Sequence, residues 1–206
     1  MHIFSFFKQN TNTQAGFSLI ELMVTISIAV IVTGAVIINY TSFNSTTLLQ
    51  SQAFELALDI KEAQSFGVSV QSSGTAFREA YGIYVDLDAN EYQLFQDDTS
   101  SGVDLRYDSG EEIGDTHALD SRFQISQICV KVASAGSPSC NKRQLSMAFN
   151  RPDFDTNYAY TANASPSNLA NVGIILDYVE IYIQSTADAS FERVVTVYPS
   201  GQVSLN

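Results

Sequence analysis

An apolar segment close to the N-terminus most constrains what this chain can fold into. Leu22–Ile38 is almost wholly apolar, and with its flanks it reaches the ~20 residues that a helix needs to cross a bilayer. After Glu21, no Asp, Glu, Lys or Arg occurs before Glu55. The sequence therefore predicts one membrane-spanning helix.

A carboxylate, Glu21, stands at the start of this apolar segment. A buried carboxylate without a partner is costly or gives up its charge, so it needs a cation. Cleavage after Gly16 would supply one, because the new α-amine on Phe17 would lie one helical turn from Glu21 of the same or a neighbouring subunit. This arrangement points to assembly rather than to catalysis.

The stretch Gly16-Phe17-Ser18-Leu19-Ile20-Glu21-Leu22-Met23-Val24 resembles the N-terminal processing motif of type IV pilins and type II secretion pseudopilins. The resemblance implies that a prepilin peptidase cuts between Gly16 and Phe17 and methylates Phe17, and that Glu21 aids filament assembly. The expected partners are other pilins or pseudopilins, the prepilin peptidase and an inner-membrane assembly platform.

Lys8 is the only Lys, Arg, Asp or Glu before the predicted cleavage point. It favours a cytoplasmic N-terminus and an exported C-terminal part. The expected location is the bacterial inner membrane in a single-pass topology, followed by the pilus or pseudopilus after assembly. The alternative is a plain membrane anchor that tethers a periplasmic binding domain, which never polymerises and leaves Glu21 at the membrane interface.

The predicted fold class is α+β and pilin-like. No Pro occurs from Phe17 to Val70, which favours one helix of about 50 residues whose first half spans the membrane. Its second half is amphipathic, and its apolar stripe is suited to packing on one antiparallel sheet or two small ones: Leu49, Ala53, Leu56, Ile60, Ala63 and Gly67. The predicted segments are a leader at 1–16, a transmembrane or filament-core helix at 17–43, an amphipathic half at 44–70 and a β domain at 71–206.

Alternating apolar and polar residues between turn formers predict antiparallel strands in the β domain. We expect a hairpin from 82–86 and 92–96 and further strands near 123–132, 144–150, 172–184, 193–198 and 203–205. Tyr160–Gly173 lacks charge and periodicity and is predicted to be an exposed loop. The ending from Phe191 to Val203 resembles the C-terminal hairpin of minor pseudopilins of the H type and minor pilins of the T type.

The two cysteines, Cys129 and Cys140, lie on either side of a Gly-Ser-Pro turn in the part predicted to be exported. Oxidising compartments permit disulfides, so we predict a bond that staples a hairpin or loop. A metal pair is the alternative. It would need further ligands, but His2 lies in the leader and His117 has no patterned partner.

Acidic residues suggest two weak sites for a cation. Asp86, Asp88, Asn90 and Asp97 occupy positions one, three, five and twelve of an EF-hand-like count, although Glu91 stands where that loop needs Gly. A solvated hairpin turn is the alternative. A long loop carries a second cluster, which either binds a divalent cation or keeps the surface soluble: Asp97, Asp98, Asp104, Asp108, Glu111, Glu112 and Asp115. No metal or other cofactor is assigned.

Charge and composition disfavour two classes of function. With 10 basic and 22 acidic residues, the chain has a formal net charge of −12, which opposes binding to nucleic-acid backbones. The processed chain would contain one His and has no phosphate-binding Gly motif, so we do not expect an enzyme. A run of acids on the second helical half is either a solvated face or a contact for a basic patch on a neighbouring subunit: Glu55, Asp59 and Glu62.

Overall fold

The computed structural model divides the chain into two compact units, Met1–Phe43 and Asn44–Asn206. At residues 38–44 and 171 the structure describes only the backbone. The described residues are 16–69, 80–97, 104–150, 155–163, 169–171 and 176–206.

One helix, α1, runs from Leu19 to Val68 over 50 residues, as the absence of Pro predicts. In the first unit, Leu19–Ile37 has a mean hydropathy of 2.4 and 0 % of this stretch is buried. By length and composition it is able to cross a membrane.

In the second unit, α1 buries one apolar stripe. The predicted stripe residues Leu49, Ala53, Leu56, Ile60 and Ala63 are each 0 % exposed. Gly67, the last member, lies so close to the backbone of Phe149 that a Cβ on it would stand 2.3 Å from the Phe149 carbonyl oxygen. The helical spacing therefore identified the side of α1 that packs on the β domain.

Within the described residues, eleven strands form two antiparallel sheets. A six-stranded sheet has the order β3-β2-β1-β6-β7-β8, and a five-stranded sheet has the order β11-β10-β9-β4-β5. The strands are β1 Ala80–Asp86, β2 Glu91–Asp97, β3 Glu112–Ala118, β4 Phe123–Val132, β5 Ser139–Lys142, β6 Gln144–Phe149, β7 Thr156–Thr161, β8 Ala170–Asn171, β9 Leu176–Ser185, β10 Glu192–Val197 and β11 Val203–Leu205.

The main core joins α1 to both sheets. Ile83 and Met147 come from the six-stranded sheet, Ile181 and Val195 come from the five-stranded sheet, and all four are 0 % exposed in the same cluster as the α1 stripe. Along β1, β6, β9 and β10 the residues of this cluster alternate with residues of the opposite face, since side chains change face at every residue. The fold is α+β, as predicted, and of the two predicted alternatives, one antiparallel sheet or two, the structure has two.

The C-terminal hairpin of β10 and β11 is held from two directions. The Lys61 ammonium on α1 donates to the Gly201 carbonyl at 2.8 Å. From β7, the Thr156 amide donates to the Pro199 carbonyl at 2.8 Å and the Tyr158 hydroxyl donates to the Val197 carbonyl at 3.2 Å. The turn is thus fastened to both the helix and the other sheet.

Four regions differ from the sequence-based prediction. The second half of the predicted acidic loop is strand β3, and neither β5 nor β7 was predicted. The predicted loop at Tyr160–Gly173 begins in β7 and contains β8, while 164–168 and 172–175 lie outside the described residues. β3 and β5 are edge strands whose residues are mostly exposed. Exposed edge strands do not need alternating apolar and polar side chains, and that alternation is the pattern from which strands are predicted.

Candidate processing and assembly site

The helix begins immediately after the predicted cleavage junction. Because α1 starts at Leu19, Ser18 occupies the N-cap position and Glu21 lies in the first turn. The Leu22 amide donates to the Ser18 carbonyl at 3.1 Å. The Ser-x-x-Glu spacing is that of a capping box, and a carboxylate here also interacts favourably with the helix dipole.

The junction itself is accessible. Gly16 and Phe17 precede α1 without regular secondary structure. Phe17 is 82 % exposed, and nothing lies within 4 Å of a Cβ built on Gly16. The remaining residues of the predicted leader, 1–15, lie outside the described residues.

The helix that follows exposes apolar side chains on all sides. Each large apolar residue of this segment exposes between 52 % and 82 % of its surface. The hydroxyls of Thr25 and Ser27 donate to the carbonyls of Leu22 and Met23 at 2.9 and 2.8 Å. These hydroxyl donors are satisfied within the helix, so the segment suits lipid or other apolar helices as its surroundings. The exposed residues are Phe17, Leu19, Ile20, Leu22, Met23, Val24, Ile26, Ile28, Val30, Ile31, Val32, Val36 and Ile37.

Cys129 and Cys140 form a disulfide across 11 residues of sequence. The bond joins the second half of β4 to the short edge strand β5, and Cys129 is 0 % exposed. The predicted staple is therefore present, and it fixes the strand from which the chain crosses into β6 of the other sheet.

The four EF-hand-like positions do not meet at one point. Asp86 holds the β1–β2 turn, because one carboxylate oxygen accepts the amides of Asp88 and Ala89 at 2.9 and 3.2 Å. Asp88 pairs with the guanidinium of Arg143. Asn90 reaches β4, where its side chain donates to the Phe123 carbonyl and accepts the Ile125 amide.

Asp97 lies at the other end of the hairpin from this turn. It pairs with Ala80 in the ladder, whereas Asp86 pairs with Glu91 beside the turn. Asp97 is 1 % exposed and accepts the Leu105 amide at 2.6 Å. Burial raises the pKa of the Asp97 carboxyl to about 6, more than that hydrogen bond lowers it. Within the described ranges, no three His, Cys, Asp or Glu side chains come close enough to share a metal ion.

A cluster of Asp59, Tyr92 and His117 connects α1 to the six-stranded sheet, and it was not predicted. The Tyr92 hydroxyl donates to Asp59 at 2.9 Å, and Nδ1 of His117 lies 3.8 Å from the same carboxylate oxygen. Burial, followed by this hydrogen bond, raises the pKa of the Tyr92 phenol. Asp59 is 9 % exposed, so it does not share a solvated acidic face with Glu55 and Glu62.

Comparison with known proteins bears on the N-terminal segment. Residues 11–37 match the family model described as the prokaryotic N-terminal methylation motif. No curated protein and no solved structure matches the chain. The matched residues include the exposed junction, Glu21 and the apolar part of α1. The N-terminal segment is thus similar to a methylation motif, which supports the chain as a pilin- or pseudopilin-like subunit that is processed before assembly.

Proposed function

We propose that this chain is a structural subunit, a minor pilin or pseudopilin of a type IV pilus or a type II secretion pseudopilus. It is cut between Gly16 and Phe17, methylated at Phe17 and assembled through α1. One observation carries the proposal: the segment that matches the methylation motif runs directly into an exposed apolar helix with Glu21 in its first turn.

Cleavage completes the assembly site. It creates an α-amine on Phe17, which is the cation that Glu21 needs when the start of the helix leaves water. An amine and a carboxylate that meet between neighbouring subunits would also set the register of one helix against the next. Removal of the leader takes away Lys8 and leaves no other Lys or Arg before Lys61.

The apolar helix suits both the storage and the assembly of subunits. Lipid covers Leu19–Ile37 before assembly, and the helices of neighbouring subunits cover it afterwards. Because lipid tails and apolar side chains are similarly apolar, transfer from one to the other loses little apolar burial. Packing between helices, hydrogen bonds and the Glu21 ion pair then make the assembled state the more stable one.

Orientation and partners follow from the same features. Lys8 favours an N-terminus in the cytoplasm, with the second unit in the periplasm or outside the cell. The Cys129–Cys140 disulfide suits such an oxidising compartment. The partners are the prepilin peptidase, an inner-membrane assembly platform and other pilins. The choice of a minor subunit rests on the resemblance of the closing hairpin of β10 and β11 to that of minor pseudopilins and minor pilins.

The decisive experiment expresses the full chain in bacterial membranes with and without a prepilin peptidase and measures the intact mass and the N-terminal peptide. We expect a peptidase-dependent product that begins with N-methylated Phe17. A G16V variant serves as the matched control and should remain uncut. If the wild-type chain stays uncut beside a correctly processed control pilin, the proposal fails and the chain is a tethered β domain.

A further inference from the structure

Two large apolar side chains of the second unit are exposed on α1. Among the described residues after 43, Phe54 is 55 % exposed and Leu58 is 67 % exposed, while the other large apolar side chains are more covered. They lie four residues apart and are therefore neighbours on the helix surface. Leu58 is two residues, or ~200° of rotation, from each of the buried residues Leu56 and Ile60. The apolar pair thus lies on the side of α1 that faces away from both sheets.

The fold engages two of the four charged residues in the second half of α1. Asp59 accepts a hydrogen bond from the Tyr92 hydroxyl at 2.9 Å. The Lys61 ammonium donates to the Gly201 carbonyl at 2.8 Å. Both charges therefore serve contacts between the helix and the β domain.

The other two charged residues, Glu55 and Glu62, border the apolar pair. Glu55 lies three residues before Leu58 and Glu62 lies four residues after it, so both are its neighbours on the helix. Both are exposed, and neither forms a salt bridge with a cation that the structure describes. Glu55 accepts only a neutral hydrogen bond, from Gln52 at 3.0 Å. We call Phe54, Glu55, Leu58 and Glu62 the acidic-apolar face.

The charges of this face define the chemistry of its partner. Anionic lipid and nucleic-acid phosphates would repel the two carboxylates. A wholly apolar surface would take them out of water without cations, which is costly. Glu55 and Glu62 lie seven residues apart, which is ~10.5 Å along a helix. The complementary surface therefore carries two cations at this spacing beside apolar side chains.

A second copy of this chain is a poor match for that surface. Lys142 pairs with the core residue Ile128 across the ladder. Lys131 follows the core residue Val130, so it points to the opposite face of the same sheet and does not form a pair with Lys142. Three arginines already form salt bridges with acids of their own chain: Arg106, Arg122 and Arg143.

We propose that the acidic-apolar face binds a different pilin-like subunit, whose contact surface carries two Lys or Arg side chains ~10.5 Å apart beside apolar side chains. Phe54 and Leu58 supply the apolar contact, and the two glutamates select the partner and fix its register through the ion pairs. This inference rests on the proposed function, because a minor subunit has subunits of other kinds as its neighbours.

Photo-cross-linking in the bacterium that produces the chain tests the contact. The full chain carries p-benzoylphenylalanine in place of Leu58, and mass spectrometry identifies the peptide that becomes attached. We expect a peptide from a different pilin-like subunit with at least two Lys or Arg side chains at the contact. The same probe in place of the exposed Ala189 is the control and should not capture that peptide. Attachment to the same chain, to a second copy or to lipid alone, or no attachment, overturns the docking proposal.

Charge variants of the probe-bearing chain test the ion pairs. E55K/E62K should lower the yield of the cross-link about fivefold or more, because like charges then face each other. Exchange of the two basic residues of the captured subunit for Glu should restore most of the yield. D115K/D177K reverses two exposed acids elsewhere and should leave the yield unchanged.

E55Q/E62Q removes the two charges without reversing them, so it tests the contact even if E55K/E62K does not fold. We expect a lower yield from it as well, and a yield that both variants leave unchanged overturns the proposal. The intact mass of the same samples reports cleavage before Phe17. An uncut chain contradicts the proposed function, whereas a cut chain without the expected cross-link contradicts the docking proposal alone.

Discussion

At the scale of single residues, Asp97 is the acid whose chemistry is most changed by its surroundings. Its carboxyl is 1 % exposed, and burial raises its pKa to about 6, above the ~3.9 of an unfolded chain. Between these values the folded state binds a proton that the unfolded state does not. The free energy of unfolding should therefore rise as the pH falls from 7 to 4, by up to about 3 kcal/mol from this group.

Urea unfolding of the detergent-solubilised chain at several pH values measures this contribution. D97N should remove most of the rise on acidification, because an amide does not titrate. D115N, which changes an exposed acid on β3, should retain it and serves as the control for general charge effects. If D97N and the wild type show the same dependence on pH, Asp97 is not the group responsible.

At the scale of elements, the contact between α1 and β6 depends on a residue without a side chain. A Cβ on Gly67 would lie 2.3 Å from the Phe149 carbonyl oxygen. This clash would be with backbone, so no flexible side chain can move aside to relieve it. G67A should therefore destabilise the protein by about 1–3 kcal/mol, although Ala favours helix by ~1 kcal/mol. S65A, at an exposed position of the same helix, is the matched control. Equal thermal stability of G67A and the wild type would show that the helix can move away from β6.

The same contact shows what can be predicted for an element from its sequence. The spacing from Leu49 to Gly67 identified the buried side of α1, because a helix repeats its faces locally. The partners of that side were not predicted. His117 had no patterned partner in the sequence, yet in the structure it lies beside Asp59. Contacts between residues that are distant in sequence depend on the register of the strands in the folded sheet. No local sequence pattern indicates that register.

At the scale of the whole molecule, prediction succeeded where one segment acts alone. The apolar helix and the motif at Gly16–Glu21 are local features, and the fold class followed from periodicity. The division into two sheets was left open as one sheet or two. The division into two sheets depends on β5, a four-residue edge strand from which the chain continues through Arg143 into β6. A short exposed strand of this kind has no recognisable sequence pattern.

Assembly is the property of the whole molecule that Glu21 is expected to control. E21A should leave cleavage after Gly16 intact, because the junction precedes the helix, but it would leave the Phe17 amine without its carboxylate. Removing one partner of a buried ion pair is strongly destabilising, so the fraction of processed chain in sheared filaments should fall at least tenfold. S27A, in the same apolar segment, should assemble normally. If processed E21A assembles as well as S27A, the ion pair does not drive polymerisation.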